Sequence, residues 1–274
     1  MAVPVVPTAL LDELQEVALR VATGAAHLLQ TYSAIRLEHV DTKSSPTDLV
    51  SEADRASEAY IVSELRRVRP GDSVLSEEGS SHDGTTNISW VADPLDGTIN
   101  FVFQIPAYSV SLAACYDDVP IVGVVIDPSR QETWSAALGR GAWCNGTPCH
   151  VAAGRSDLAT ALVGTGFSYL TERRAVQASL LSRLLPAVRD IRRIGSAALD
   201  LCWVANGRFD AYYESGLHYW DWAAGRVICE EAGAQLATLP GDIVLASTPE
   251  LLAPLTDLLV RAQAEAETEA AGRL

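Results

Sequence analysis

In Trp90-Val91-Ala92-Asp93-Pro94-Leu95-Asp96-Gly97-Thr98-Ile99-Asn100-Phe101 a short apolar strand over 88–92 runs into an Asp-Pro turn and then into Gly-Thr. Two carboxylates stand three apart across the proline. That turn lets Asp93 and Asp96 converge on one point, which is what a hard divalent cation requires: oxygen ligands, several of them carboxylates, with little nitrogen or sulfur. Gly97 and Thr98 then expose backbone N–H groups at a helix start, a setting suited to phosphate. Asp-Pro and Asp-Gly are also ordinary turn residues, so the surrounding sequence has to decide between the two.

Immediately C-terminal, apolar runs over 108–116 and 121–126 flank Asp117-Asp118-Val119-Pro120, a hairpin signature, and 132–137 reads as a third strand of an antiparallel sheet. On the N-terminal side, 8–31 has the apolar spacing of a long helix with Thr8 as its cap. Ser51-Glu52-Ala53-Asp54 resembles a capping box opening a second helix that runs to about Arg67 and is closed by Pro70-Gly71. Beyond His150 the texture changes. Strands at 161–164, 191–194, 209–213 and 243–246 alternate with helices at 171–185, 196–205, 221–232 and 249–262. The last ~10 residues, rich in Glu and Ala, read as a fraying helix end. Residues 1–150, helices plus meander, and 151–274, alternating α/β, are expected to form two layered subdomains sharing one core, a fold between α+β and α/β. The junction of such halves is the natural place for a small-molecule site.

The 274 residues carry 20 Lys+Arg against 35 Asp+Glu, a net charge of −15. That field repels nucleic-acid backbones and anionic headgroups, so neither a nucleic acid nor a membrane surface is expected as a partner. With 48% hydrophobic and 20% charged residues the chain has the composition of a folded protein. No apolar run approaches the ~18–20 residues of a membrane span, and the start, MAVPVVPTALLDEL, lacks the basic region of a signal peptide. A soluble, cytoplasmic protein is expected. The five cysteines include no CxxC pair, which removes a zinc knuckle or redox motif. A bridge between Cys144 and Cys149 is one reading; reduced thiols are the favoured one.

Three further acidic positions stand out. Asp54 sits just inside the second helix, where a carboxylate also serves as a cap. Glu77, in Ser76-Glu77-Glu78-Gly79, is either a solvated turn residue or a strand-edge ligand. Asp221 lies between Trp220 and Trp222, whose rings would desolvate it; a cation partner or a helix N-cap would each account for it. His82, His150 and His218 have no surroundings that read as a metal site or a triad, and are taken as surface or packing residues.

Taken in order, Lys43-Ser-Ser-Pro46-Thr-Asp48-Leu-Val-Ser51-Glu-Ala-Asp54, Ser76–Gly79, Asp93-Pro-Leu-Asp96-Gly-Thr98 and Trp220-Asp221-Trp-Ala-Ala-Gly225 resemble the inositol monophosphatase family. Gly141-Ala-Trp-Cys-Asn-Gly146, Arg193-Ile-Gly195-Ser-Ala-Ala198 and Asp210-Ala-Tyr-Tyr-Glu214 extend the likeness over about residues 40–235. The resemblance implies an α-β-α-β-α sandwich of the inositol monophosphatase and fructose-1,6-bisphosphatase type, and Mg2+-dependent hydrolysis of a phosphate monoester. It implies that Glu77, Asp93 and the Leu95 carbonyl hold one metal, that Asp93, Asp96 and Asp221 hold a second, and that Glu77 faces a third, hydrated site. Asp54 and Thr98 would orient and deprotonate the attacking water, with Glu77 also in the catalytic set. Gly97 and Thr98 would bind phosphate through their amides. Glu214 and the Gly195-Ser196-Ala197 turn, with Asp96 and Asp221, would receive the alcohol part of the substrate.

The further implications are two to three Mg2+ ions, a small phosphorylated polyol as substrate (inositol 1-phosphate first), direct water attack with inversion at phosphorus, a homodimer, and lithium sensitivity. Departures are modest: Ser51 and Ser196 replace common threonines, Ile99 follows Thr98, and Trp222 is bulky. Lys43 matches a mobile-loop lysine of the family but reads chiefly as a solvated one. Three rivals stand. The Asp-x-Asp-Gly-Thr nucleophile motif of haloacid-dehalogenase phosphatases places its aspartates two apart, not three, and the register fails. Fructose 1,6-bisphosphate, histidinol phosphate or 3′-phosphoadenosine 5′-phosphate are alternative substrates, although no cluster of Arg or Lys for a second phosphate is legible. A binding protein with a relict site is the third.

Overall fold

The computed structural model describes residues 4–38, 46–77 and 81–271. The chain begins with two helices, α1 (Thr8–Glu38) and α2 (Pro46–Val68), then β1 (Ser73–Ser76), β2 (Ser81–His82), β3 (Ile88–Asp96) and the short α3 (Thr98–Val102). A meander follows: β4 (Ser109–Tyr116), β5 (Val119–Asp127), β6 (Glu132–Ala137), β7 (Ala142–Cys144) and β8 (Thr147–Cys149). Then come β9 (Leu162–Thr165), α4 (Thr171–Leu184), β10 (Asp190–Arg192), α5 (Ala197–Ala205), β11 (Ala211–Ser215), α6 (Tyr219–Glu231), β12 (Gln235–Leu239), β13 (Ile243–Ser247) and α7 (Pro249–Ala271).

Two mixed sheets result. The first is ordered β2-β1-β3-β4-β5-β6-β7-β8 and antiparallel except for the parallel β1–β3 pair. The second is ordered β10-β9-β11-β13-β12, with β9 parallel to both of its neighbours. Helices α1 and α2 pack on one face of the first sheet through Leu14, Val21, Leu29, Ile61 and Leu65. Helices α5 and α6 lie between the sheets, and α4 with α7 covers the outer face of the second. This is the five-layer α-β-α-β-α order that the family resemblance implied. A helix between two sheets must be apolar nearly all round. The sequence of α5, Ala-Ala-Leu-Asp-Leu-Cys-Trp-Val-Ala, meets that demand, and eight of its nine residues are buried. Close layering also needs small residues: a Cβ on Gly123 would lie 2.4 Å from the Ala224 carbonyl oxygen.

The strand leading into the site is anchored from behind. Trp90, fully buried, donates its Nε1–H to Asp72 (3.0 Å), which also accepts from Arg69 (2.7 and 3.1 Å) and Thr86 (2.7 Å). A buried carboxylate with this many donors is satisfied, and so rigidifies its surroundings.

Several boundaries differ from those expected. β3 does not stop at Asp93; it continues to Asp96, with a register shift between Asp93 and Asp96. Pro94 lies inside the shift, where its missing N–H breaks no ladder bond. α2 starts at Pro46, before Ser51, since proline is tolerated in the first helical turn. α7 is helical to Ala271 rather than fraying: Arg183 on α4 pairs with Glu265 (2.7 Å) and with Glu269, and Ser179 donates to Glu269 (2.7 Å). Strands β1, β2, β7, β8 and β12 have no counterpart among the expected elements. All five cysteines are free, which removes the Cys144–Cys149 bridge; in the β7–β8 hairpin Cys144 faces Thr147 and Cys149 faces Ala142. No helix among the described residues is long and apolar enough to cross a membrane.

Candidate active site

The end of β3 delivers Asp93, only 2% exposed, to the floor of a cavity of about 410 Å3. Its Oδ1 accepts from the Leu95 N–H (3.1 Å), which fixes the bulged turn. Thr98 closes the same turn by donating its hydroxyl to the Leu95 carbonyl (3.0 Å). Gly97 takes φ 90°, and a Cβ there would lie 2.9 Å from the Ala107 carbonyl oxygen and 3.2 Å from that of Gly195. Only glycine fits both the left-handed conformation and the space.

Asp96 ties the two halves of the chain together. Its Oδ2 accepts from the Ser196 hydroxyl (2.6 Å) and the Ala198 N–H (2.8 Å) at the start of α5, where Ser196 is the N-cap. Asn100, buried beneath, donates its amide N–H groups to Ala107 (2.7 Å) and Ile194 (2.9 Å), holding the 194–197 turn against α3. Asp221, in the first turn of α6, accepts from the His218 N–H through its Oδ2 (2.7 Å) while the side chain lines the cavity. The N-cap position offered for Asp221 on sequence falls to His218 instead; Asp221 is the third residue of the helix and bonds back to that cap from the cavity wall. Glu214 comes from β11 and accepts from the buried Tyr212 hydroxyl (2.6 Å). Asp54 is buried on α2 and stands behind the lining, and Glu77, in the turn after β1, lines the cavity itself.

The electrostatics are those of crowded acids. Burial, and then Asp96, Glu77, Asp221 and Asp54, push the Asp93 carboxyl well above the ordinary range. Asp96 is raised by burial, against the pull of Ser196 and of the amides of Ala198, Ala197 and Gly97. Asp221 is pushed up to about 8, by burial first and then by Asp96. Glu214 is pushed up to about 7 by burial, which the Tyr212 hydrogen bond only partly offsets.

Five carboxylates acting on one buried point, with no thiol or imidazole in the set, fit a hard cation such as Mg2+. Among the described residues no three or more acidic, His or Cys side chains are gathered at metal-holding spacing. Like charges separate and take local donors, as Asp96 does with Ser196 and Ala198, and Asp221 with His218.

Every metal ligand and substrate-wall residue expected from the sequence lines this cavity except Ser196, which is buried behind the turn it caps. Lys43, Glu78 and Gly79 lie outside the described residues. His218, taken as a bystander, lines the cavity beside Asp221 with its ring stacked on Trp220 (4.7 Å). Arg173, Arg193 and Tyr169 also line it. Arg193 opens the 193–198 stretch that carries part of the family likeness, but no role is read into it there; the pairing of β9, β10 and β11 brings it near the other two.

Comparison with known proteins agrees with this geometry. The profile of the inositol monophosphatase family matches residues 10–272. Inositol-1-monophosphatase SuhB of Mycobacterium tuberculosis (strain ATCC 25618 / H37Rv) is 46% identical over 234 residues, covering 79% of this chain and 81% of that protein. A protein of Pseudomonas aeruginosa named Nus factor SuhB is 39% identical over 235 residues, covering 82% and 85%. The solved structure of Mycobacterium tuberculosis SuhB superposes with a TM-score of 0.81 at 40% identity, over 92% of this chain and 97% of that one. The layered fold and the acid-floored cavity at its centre are therefore those of relatives that share much of this sequence, and the chain belongs to the inositol monophosphatase family of typically Mg2+-dependent phosphatases, as an inositol-1-monophosphatase-like phosphoric monoester hydrolase.

Proposed function

We propose that this enzyme hydrolyses inositol 1-phosphate to inositol and phosphate by direct attack of water. The observation that carries this is one cavity lined by Glu77, Asp93, Asp96 and Asp221 and walled by Glu214 and the Gly195 turn, with Asp54 buried near enough to act on Asp93. Phosphate monoesters are among the slowest compounds to hydrolyse unaided, so charge neutralisation and a positioned nucleophile both have to be supplied. Glu77, Asp93, the Leu95 carbonyl, Asp96 and Asp221 would hold two to three Mg2+ ions, whose positive charge would offset the negative charge of the phosphate and lower the pKa of water.

The chain's own residues do the rest. Asp54 and the Thr98 hydroxyl orient a water molecule and Asp54 receives its proton. The water oxygen forms a bond to phosphorus as the bond to the alcohol oxygen breaks, and that oxygen is protonated from solvent. No side chain has to carry the phosphoryl group, so configuration at phosphorus inverts. The amides of Gly97 and Thr98 face the phosphate. Glu214 accepts from the polyol hydroxyls, and Tyr212 holds its carboxylate in place.

We read the enzyme as cytoplasmic, consistent with its five free thiols, lithium-sensitive, and a homodimer, for which the exposed Ile99, Phe103 and Ile105 beside the site offer an apolar face. A net charge of −15 disfavours direct nucleic-acid contact. A Mg2+-supported phosphate-release panel over inositol 1-phosphate, fructose 1,6-bisphosphate, histidinol phosphate and 3′-phosphoadenosine 5′-phosphate tests the substrate. The highest kcat/KM is expected on inositol 1-phosphate; a tenfold preference for any other member would replace that assignment.

A further inference from the structure

Midway along α4 a polar side chain stands where the packing calls for an apolar one. Leu180 and Leu184 are buried in the core between α4 and the second sheet, and Gln177, on the same face of the helix, is buried with them at 8% exposure. Burying an amide is unfavourable unless its polar atoms are bonded. Here both ends are. The Gln177 Oε1 accepts from the Ser168 N–H (2.9 Å), and its Nε2 donates to the Ser215 hydroxyl (2.9 Å) and, at greater length, to the Ser215 carbonyl oxygen (3.4 Å).

The two residues it joins belong to different strands' ends. β9 and β11 run parallel and are paired as far as Thr165 and Tyr213. Beyond that pair the ladder stops, and the segments that follow, 166–170 and 214–218, both line the main cavity. Gln177 lies behind that lining and carries the bridge from one segment to the other once the strands no longer do. There is little packing to replace it. A second void of about 10 Å3, room for one water molecule at most, is lined by Gly166, Phe167, Gln177 and Ser215. Gly166, Phe167 and Ser215 therefore line both spaces, as a partition one residue thick. Spacing within it is tight: Gly166 lies so close to the Glu214 carboxylate that a methyl group would not fit.

Resting on the reading above in which Glu214 receives the alcohol part of the substrate, we propose that Gln177 is a positioning residue for that wall. It sets the separation of segments 166–170 and 214–218, and so the fit of the polyol, without touching substrate itself. The phosphate end is held by other bonds, from Thr98 to the Leu95 carbonyl and from Ser196 and Ala198 to Asp96. Loss of the Gln177 amide loosens the wall and leaves the floor in place.

Gln177→Leu suits the apolar face of α4 and has neither donor nor acceptor. Gln177→Glu keeps an acceptor for the Ser168 N–H and loses the amide donor. Wild type and both variants are compared with Mg2+ for kcat and KM on inositol 1-phosphate, and for inhibition by inorganic phosphate, which needs the floor alone. Gln177→Leu is expected to raise KM about tenfold while kcat and the phosphate inhibition constant stay within about twofold, with Gln177→Glu in between. Peptide-resolved amide hydrogen exchange needs no turnover, and over 166–170 it should be at least about tenfold faster in Gln177→Leu, with 94–100 unchanged. Thermal melts show which variants are folded; if Gln177→Leu is not, Gln177→Glu carries the same comparisons. An unchanged KM, unchanged exchange at 166–170, or a phosphate inhibition constant that rises in step with KM overturns the proposal. A wild type that releases no phosphate from inositol 1-phosphate overturns the substrate reading instead, and hydrogen exchange then decides on Gln177 by itself.

Discussion

Gly166→Ala is a one-methyl perturbation whose consequence follows from the packing of Glu214 against this glycine. Gly166 follows β9 and lines the cavity opposite Glu214. A Cβ at this position would lie 1.7 Å from Glu214 Oε2, 2.2 Å from Cδ and 2.4 Å from Oε1. The carboxylate must therefore retreat by about 1.7 Å to reach ordinary contact. It cannot do so and keep the 2.6 Å hydrogen bond from Tyr212, whose hydroxyl is buried with it. Losing a hydrogen bond to a charged group costs about 1.5–3 kcal/mol, so the melting temperature should fall by roughly 3–12 °C for a chain of this size. A misplacement of about 1 Å at a substrate contact lowers kcat/KM by up to ~100-fold. Steady-state phosphate release from inositol 1-phosphate should show a drop of roughly 10- to 100-fold, mostly in KM. The control is the double variant with Glu214→Ala. With the carboxylate gone, adding the methyl should be nearly neutral for both stability and kinetics. The reasoning fails if Gly166→Ala keeps wild-type kcat/KM, or if its cost is the same with and without Glu214.

Asn100→Ala removes both amide bonds that hold the 194–197 turn and leaves two carbonyl acceptors short, so a loss of about 2–4 kcal/mol in urea unfolding is expected, and an unchanged midpoint would contradict it. The raised carboxyls of Asp93 and Asp221, the latter at about 8, mean that without Mg2+ the folded chain holds protons the unfolded chain has released. Stability should then be fullest below the ordinary carboxylate range and fall as pH rises toward 8. Mg2+ takes the place of those protons, so the rise in Tm that it gives should be larger at pH 8 than at pH 5; a larger rise at pH 5 would be the wrong sign. Burial holds the Cys115 and Cys149 thiols up at about 11, so a thiol reagent at pH 7.5 should label the native protein slowly, and all five cysteines should react at once in denaturant. Fewer than five equivalents in denaturant would reveal a disulfide.

Elements whose cause is local were legible in the sequence. α1, α2 and the β4–β6 meander follow from periodicity and an Asp-Asp-Val-Pro hairpin, whereas spacing only offered Asp93 and Asp96 as a pair and the family resemblance added Glu77, Asp54 and Asp221 to it. Where a boundary depends on a partner elsewhere, local pattern was not enough. Pro94 argues for a strand end until its place in a bulge is seen. The Glu- and Ala-rich end of α7 looks loose until Arg183 is placed against it. The β7–β8 hairpin did carry a local signal: Asn145-Gly146, both at positive φ, is the two-residue turn such hairpins prefer. Arg173 and Arg193 are 20 residues apart in sequence with an intervening helix, so their common cavity belongs to the tertiary fold alone.

The carboxylates around Asp93 repel one another at a cost to the fold, and their convergence is accounted for by the Mg2+ they would hold. Asp93→Asn keeps the acceptor for the Leu95 N–H while removing the central charge. The direct measurement is Mg2+-dependent phosphate release from inositol 1-phosphate by wild type and Asp93→Asn, paired with their Mg2+-free melting temperatures. Turnover should require Mg2+ and fall by at least about a hundredfold in the variant, while its Mg2+-free Tm equals or exceeds that of wild type. Undiminished phosphate release by Asp93→Asn, or turnover by wild type that is indifferent to Mg2+, would contradict the account.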